Sequence, residues 1–167
     1  AAIGLVAWHR GDASGARRLW QEGRDAAHTL GAVAHEARFF GLLGMEAHVE
    51  QRYTEAAESY KTALALADRA GDAHGAATYA VNLAAIDTEI GEVSEALAHH
   101  RDGMARLLKT GRRTEVNTAR ANYAQLLLRL GDVVGADRAS RRVEEEAAAS
   151  GLPPTSTGLA LCVRGDV

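Results

Sequence analysis

Apolar residues recur along this chain at helical spacing, in blocks of one length. Ala16, Leu19, Trp20 and Ala27 form the first clear set, and Phe39, Phe40, Leu43 and Ala47 the second. Tyr53, Ala56, Tyr60, Ala63, Leu64 and Ala67 form the third. The next pair is Tyr79, Ala80, Leu83 and Ala84, then Val93, Ala96, Leu97 and Met104. The last is Tyr123, Ala124, Leu127 and Leu130, then Val133, Ala136, Ala139 and Val143. Steps of three and four residues put each set on one face of an α-helix, with polar residues between. The pattern predicts helices over about 12–30, 32–50 and 52–70, with the same lengths repeated afterwards.

Glycine marks the joins. Gly11, Gly31, Gly71, Gly91, Gly111, Gly131 and Gly151 fall on one 20-residue beat, and the missing beat at 51 is Gln51. Glycine closes a helix in the left-handed conformation without a Cβ penalty. Asp12, directly after one such glycine, is placed to cap the following helix. The larger period is 40: Ala16, Ala56, Ala96 and Ala136 each follow a turn by five residues. Self-similarity at this period signals helix-turn-helix units stacked into a solenoid.

This organises the chain as one solenoid domain over 1–167. It begins in a partial repeat at 1–31, continues through repeats at 32–71, 72–111 and 112–151, and ends in a truncated last helix at 152–167. The count is about nine helices. After Gly151 the period shortens: Gly165-Asp166-Val167 repeats Gly131-Asp132-Val133 at a spacing of 34. Both ends fall inside repeats, so the expectation is an excerpt of a larger protein.

Composition narrows the picture further. The two prolines stand together at Pro153 and Pro154, which leaves the rest of the chain open to long helices. Net charge is −3 with both signs interspersed, so nothing draws the chain to nucleic acid or an anionic membrane. A lone cysteine, Cys162, excludes an intrachain disulfide, and no apolar run approaches a membrane span. The expected location is cytoplasmic.

These residues carry a family resemblance. Leu43-Gly44, Tyr53, Ala56, Tyr60 and Ala63-Leu64 match the tetratricopeptide (TPR) pattern. So do Asn82-Leu83-Ala84, Gly91 and Glu95-Ala96-Leu97 in the next repeat. The 40-residue period is similar to the longer variant in kinesin light chains and bacterial signalling proteins. The resemblance implies an all-α, right-handed α-solenoid. There are departures: His100 and Ser140 replace the aromatic that Trp20 and Tyr60 supply, Gly23, Gly103 and Val143 replace an alanine, and Arg120 replaces a bulky apolar residue.

The resemblance also implies that the first helices line a concave groove for a peptide or partner protein. Thr78, Asn82, Ala85 and Glu89 share one face of the third unit's first helix, and Thr118, Asn122, Gln125 and Arg129 share it on the fourth. The second unit's stripe is Arg38, Leu42, Met45 and Val49. Asn82 and Asn122 stand 40 residues apart and could bracket a ligand's peptide bond with donor and acceptor. The competing account is that they are simply solvated. Leu42, Met45 and Val49 either hold a partner's apolar anchor or pack against a neighbouring helix. Arg38, His48, Glu89 and Arg129 have mixed signs and imply no ligand class.

Candidate chemistry is sparse. His35-Glu36 begins like a zinc-protease helix, but Phe39 stands where the second histidine belongs. His99-His100 point apart on one helix and cannot chelate together. The glycines punctuate helices and form no phosphate loop. Glu144, Glu145 and Glu146 follow Arg138, Arg141 and Arg142 at pairing distance along one helix. The reading is a non-enzymatic protein- or peptide-binding module with no cofactor and no metal. It fits the sensor or scaffold segment of a bacterial multidomain regulator. The alternative is a structural spacer that self-associates through open solenoid ends, which Leu159 and Leu161 would help to form.

Overall fold

The computed structural model describes residues 1–111 and 113–150, and every regular element among them is an α-helix. Eight are described: α1 (Ala2–His9), α2 (Ala13–Thr29), α3 (Val33–Val49), α4 (Tyr53–Ala70), α5 (Ala73–Ile90), α6 (Val93–Thr110), α7 (Arg113–Arg129) and α8 (Val133–Ser150). The truncated helix expected at 152–167 lies outside the described residues. So do Cys162, Leu159, Leu161 and both prolines.

The 20-residue beat becomes one recurring joint. Its first residue has positive φ at Gly11, Gly31, Gly71, Gly91, Gly111 and Gly131, and also at Gln51, where φ is 57°. The next amide reaches back across the turn to the helix just ended. Asp12 N–H donates to the Ala7 carbonyl at 3.0 Å, Arg52 to Ala47 at 2.8 Å and Asp72 to Ala67 at 2.9 Å. These bonds satisfy carbonyls that a helix end leaves orphaned. Asp12, Asp72 and Asp132 then start the following helix, each carboxylate accepting from the amide of Gly15, Gly75 or Gly135. An added Cβ at Gly75 would collide with the Asp72 carboxylate, so glycine clears the space for the cap.

The chain packs as two compact units, Ala1–Arg106 and Leu107–Val167. In the first, α1 to α5 pack in sequence order, and α3 also touches α5. Alanine forms the buried seam: Ala16, Ala47, Ala56, Ala63, Ala67, Ala76, Ala80 and Ala84 are all fully buried. Backbones that approach this closely leave pockets for rings. Trp20 lies on Gly4, Phe39 on Gly23, Tyr60 on Gly44 and Tyr79 on Gly41, each where a Cβ would crowd the ring. The departure at Gly23 is thus filled by Phe39 from the next helix. Gly103 likewise brings its backbone against Val81, 2.7 Å from where its Cβ would be.

One charged cluster ties three helices of the first unit. Glu46 on α3 is buried and accepts from Arg17 Nη1 on α2 at 2.6 Å. Arg52, the N-cap residue of α4, donates to the other Glu46 oxygen at 2.5 Å. Both guanidinium groups also hold Glu55. Together they close a ring of four charges.

In the second unit α7 packs on α8, with Leu127 and Ala136 at the centre and Tyr123 and Leu128 against them. The departures from the repeat pattern at His100 and Ser140 are buried like the residues they replace. Trp20, Tyr60, His100 and Ser140 occupy one register position, and all four are buried.

Candidate functional site

α3 and α5 are first helices of successive repeats, and they touch along the first unit. Between their N-terminal halves lies a hollow of about 470 Å³. His35 and Arg38 enter it from α3, and Asp72, His74, Thr78 and Tyr79 from the start of α5. Each helix follows a turn that opens on a glycine of positive φ, Gly31 before α3 and Gly71 before α5.

The polar groups in the hollow differ in how far they are committed. Asp72 spends its carboxylate on the Gly75 amide at 2.9 Å. Thr78 Oγ1 donates to the His74 carbonyl at 3.0 Å, one turn back along its own helix. His35, Arg38 and His74 are exposed. Tyr79 is half-buried, and burial holds its phenol above the ordinary value, with Asp72 adding to the effect and Arg38 opposing it.

Of the site residues expected from sequence, Arg38 and Thr78 come together in this hollow. Asn82, one turn further along α5, is half-buried and is a hydrogen-bonding neighbour of the Tyr60 hydroxyl on α4. Leu42 and Met45 are half-buried and pack with Trp20 and Leu43, so they belong to the core between α1, α2 and α3. Val49 is 60% exposed, and Glu89 is also exposed. In the second unit Thr118, Gln125 and Arg129 are exposed and Asn122 is half-buried.

Sequence reasoning missed His35, His74 and Tyr79 as lining residues. His35 stands three residues before Arg38, so carrying the stripe one turn toward the N-terminus would have found it. Tyr79 read as core because it is aromatic at an apolar spacing. Its ring packs on Gly41, and the side chain also lines the hollow.

Among the described residues no group of three or more histidine, cysteine or acidic side chains is placed to hold a metal ion. No helix among them is long and apolar enough to cross a membrane.

No protein-family model matches the chain, and no curated protein matches it by sequence. Solved structures do match its fold. BtubC (BKLC) from P. vanneervenii superposes with a TM-score of 0.81 at 20% identity, over 98% of this chain and 71% of that one. The TPR-like repeats of a putative kinesin light chain from Podosopora anserina give 0.77 at 16% identity, over 99% and 85%. A singly substituted form of those repeats gives 0.79, also at 16% identity, over 99% and 84%. At such identities the likeness concerns the fold: the chain is an array of TPR-like helical repeats, an α-solenoid.

Proposed function

We propose that this array is a non-enzymatic module that binds a protein or peptide segment along its first-helix face. The observation that carries this reading is the hollow between α3 and α5. Its Arg38, His35 and His74 are exposed, while Ala37, Leu43, Leu83 and Ile86 of the same helices are buried. Asn82 and Asn122 extend that face by register, with Thr78, Glu89, Thr118, Gln125 and Arg129 beside them. The module acts as the sensor or scaffold segment of a larger cytoplasmic regulator, where occupancy of the face alters an attached domain.

The test is affinity capture from native lysate with the parent chain and an Asn82→Ala/Asn122→Ala variant as parallel baits. A protein enriched on the parent and lost from the variant, at unchanged helicity, supports the reading. Identical captures remove the asparagine contacts from it. One observation favours the spacer alternative: Asn82 already has a neighbour in Tyr60, which gives it a structural use. Under that alternative the variant captures the same proteins as the parent, chiefly copies of itself.

A further inference from the structure

In the first unit, the ring that a second helix buries meets the middle of the next first helix. Trp20 on α2 packs with Leu42 on α3, and Tyr60 on α4 is a hydrogen-bonding neighbour of Asn82 on α5. Both pairs are spaced by 22 residues, and their polarity changes together. An indole faces leucine, and a phenol faces a carboxamide. The indole N–H of Trp20 is directed elsewhere, to the Ala1 carbonyl at 3.4 Å. Tyr60 is fixed by its packing: its ring lies on Gly44 and clusters with Leu83 and Ile86 of α5. Leu83 follows Asn82 directly and Ile86 stands one turn on, so the phenol is set against the turn of α5 that carries the carboxamide.

A carboxamide carries its N–H groups and its oxygen on opposite sides of one carbon, and either side can meet a hydroxyl. The bond to Asn82 counters the rise that burial imposes on the phenol. Donation to the hydroxyl oxygen has that effect, because it favours the phenolate; accepting the hydroxyl proton has the opposite one. The nitrogen side of Asn82 therefore faces Tyr60. Resting on the partner-binding reading above, we infer that Tyr60 is a positioning residue: it holds the nitrogen side of Asn82 and so turns the carboxamide oxygen to the first-helix face, as an acceptor for a partner's backbone N–H. The sequence left donor and acceptor both open for this contact, and the fold divides them. Holding the side chain beforehand also removes the cost of ordering it on binding.

The probe is the hexapeptide acetyl-(Ser-Ala)3-amide, titrated into the 15N-labelled full chain and followed in amide spectra. The same peptide methylated at every backbone nitrogen, which lacks those N–H donors, is titrated beside it. The first should shift the Asn82 side-chain amide and the second should not. Tyr60→Phe should weaken binding about threefold and speed hydrogen exchange at the Asn82 side chain, the size of one net hydrogen bond. Asn82→Ala should lose about threefold or more on the same basis. Asn82→Asp keeps an oxygen on the face and should bind at least as tightly as the parent.

Equal shifts from both peptides, or from neither, would overturn the inference. So would an Asn82→Asp variant as weak as Asn82→Ala, since the nitrogen side would then be what the partner meets. Parent affinity and unchanged Asn82 exchange in Tyr60→Phe would remove the positioning role. The partner-binding reading fails separately, through the captures. A protein captured through Asn82 and Asn122 while neither peptide shifts Asn82 leaves that reading in place and removes this one.

Discussion

The Asn82 carboxamide on α5 neighbours the Tyr60 hydroxyl on α4, and Tyr60 is almost wholly buried. Burial raises the phenol's pKa well above the ordinary value, and Asn82 offsets part of the rise. A residue of the first-helix face is thus tied to the ring that fills the space beside Gly44. Tyr60→Phe and Asn82→Ala should each cost about 1 kcal/mol, and the double variant should cost less than their sum. Urea melts of the four proteins check this. Strict additivity would mean the two side chains do not interact.

Gln51 holds φ at 57° in a turn position that is otherwise glycine. The left-handed conformation costs an L-residue roughly 1–2 kcal/mol, and glycine's extra freedom in the unfolded chain returns part of that. Gln51→Gly should raise stability by about 0.5–1 kcal/mol. Thermal denaturation of the variant beside the parent measures it, and a lower melting point would contradict this account of the turn.

Glu46 occupies the register that Ile86 and Leu126 fill, and all three are buried. Its charge is balanced by Arg17 and Arg52, but removal from water offsets much of that gain. Glu46→Leu should therefore be neutral or stabilising, while Glu46→Ala, which leaves a void and loosens both arginines, should cost about 2–3 kcal/mol. Chemical denaturation of the pair distinguishes these outcomes.

His100 is buried where Trp20 and Tyr60 stand in earlier repeats. Burial lowers its pKa from 6.5 to about 4, with His99 acting in the same direction. The unfolded chain therefore takes up this proton first as the pH falls. Stability from this group is full above about pH 6.5, declines between 6.5 and 4, and is flat below. A span from 6.5 to about 4 corresponds to roughly 3 kcal/mol. His100→Leu should flatten that part of the stability–pH profile while leaving His99 with its Asp87 partner in place.

The repeat architecture was legible in the sequence because a joint built from glycine and a capping residue uses local chemistry. The 20-residue beat of glycines fixed where helices end, and Gln51 shows that the joint persists even where its usual residue is missing. What fills the space between helices was less legible. Phe39 lying on Gly23, or Glu46 reaching Arg17, joins residues from different helices and leaves no periodic mark. The face itself was half legible. Arg38 and Thr78 followed from helical spacing, but that His35 and His74 meet them depends on how α3 and α5 are set side by side. Leu42 and Met45 shared the stripe's spacing and went to the core instead, because Trp20 from α2 covers them.

The most direct measurement asks which face a partner touches. Photo-cross-linking residues would be placed singly at Arg38 and Gln125 on first helices and at Lys61 and Arg138 on second helices, all exposed. Each bait would be irradiated in native lysate and its adducts identified by mass spectrometry. Adducts to one common protein from Arg38 and Gln125, absent from Lys61 and Arg138, are the predicted result. Adducts to that protein mainly from the second-helix positions would contradict a first-helix binding face.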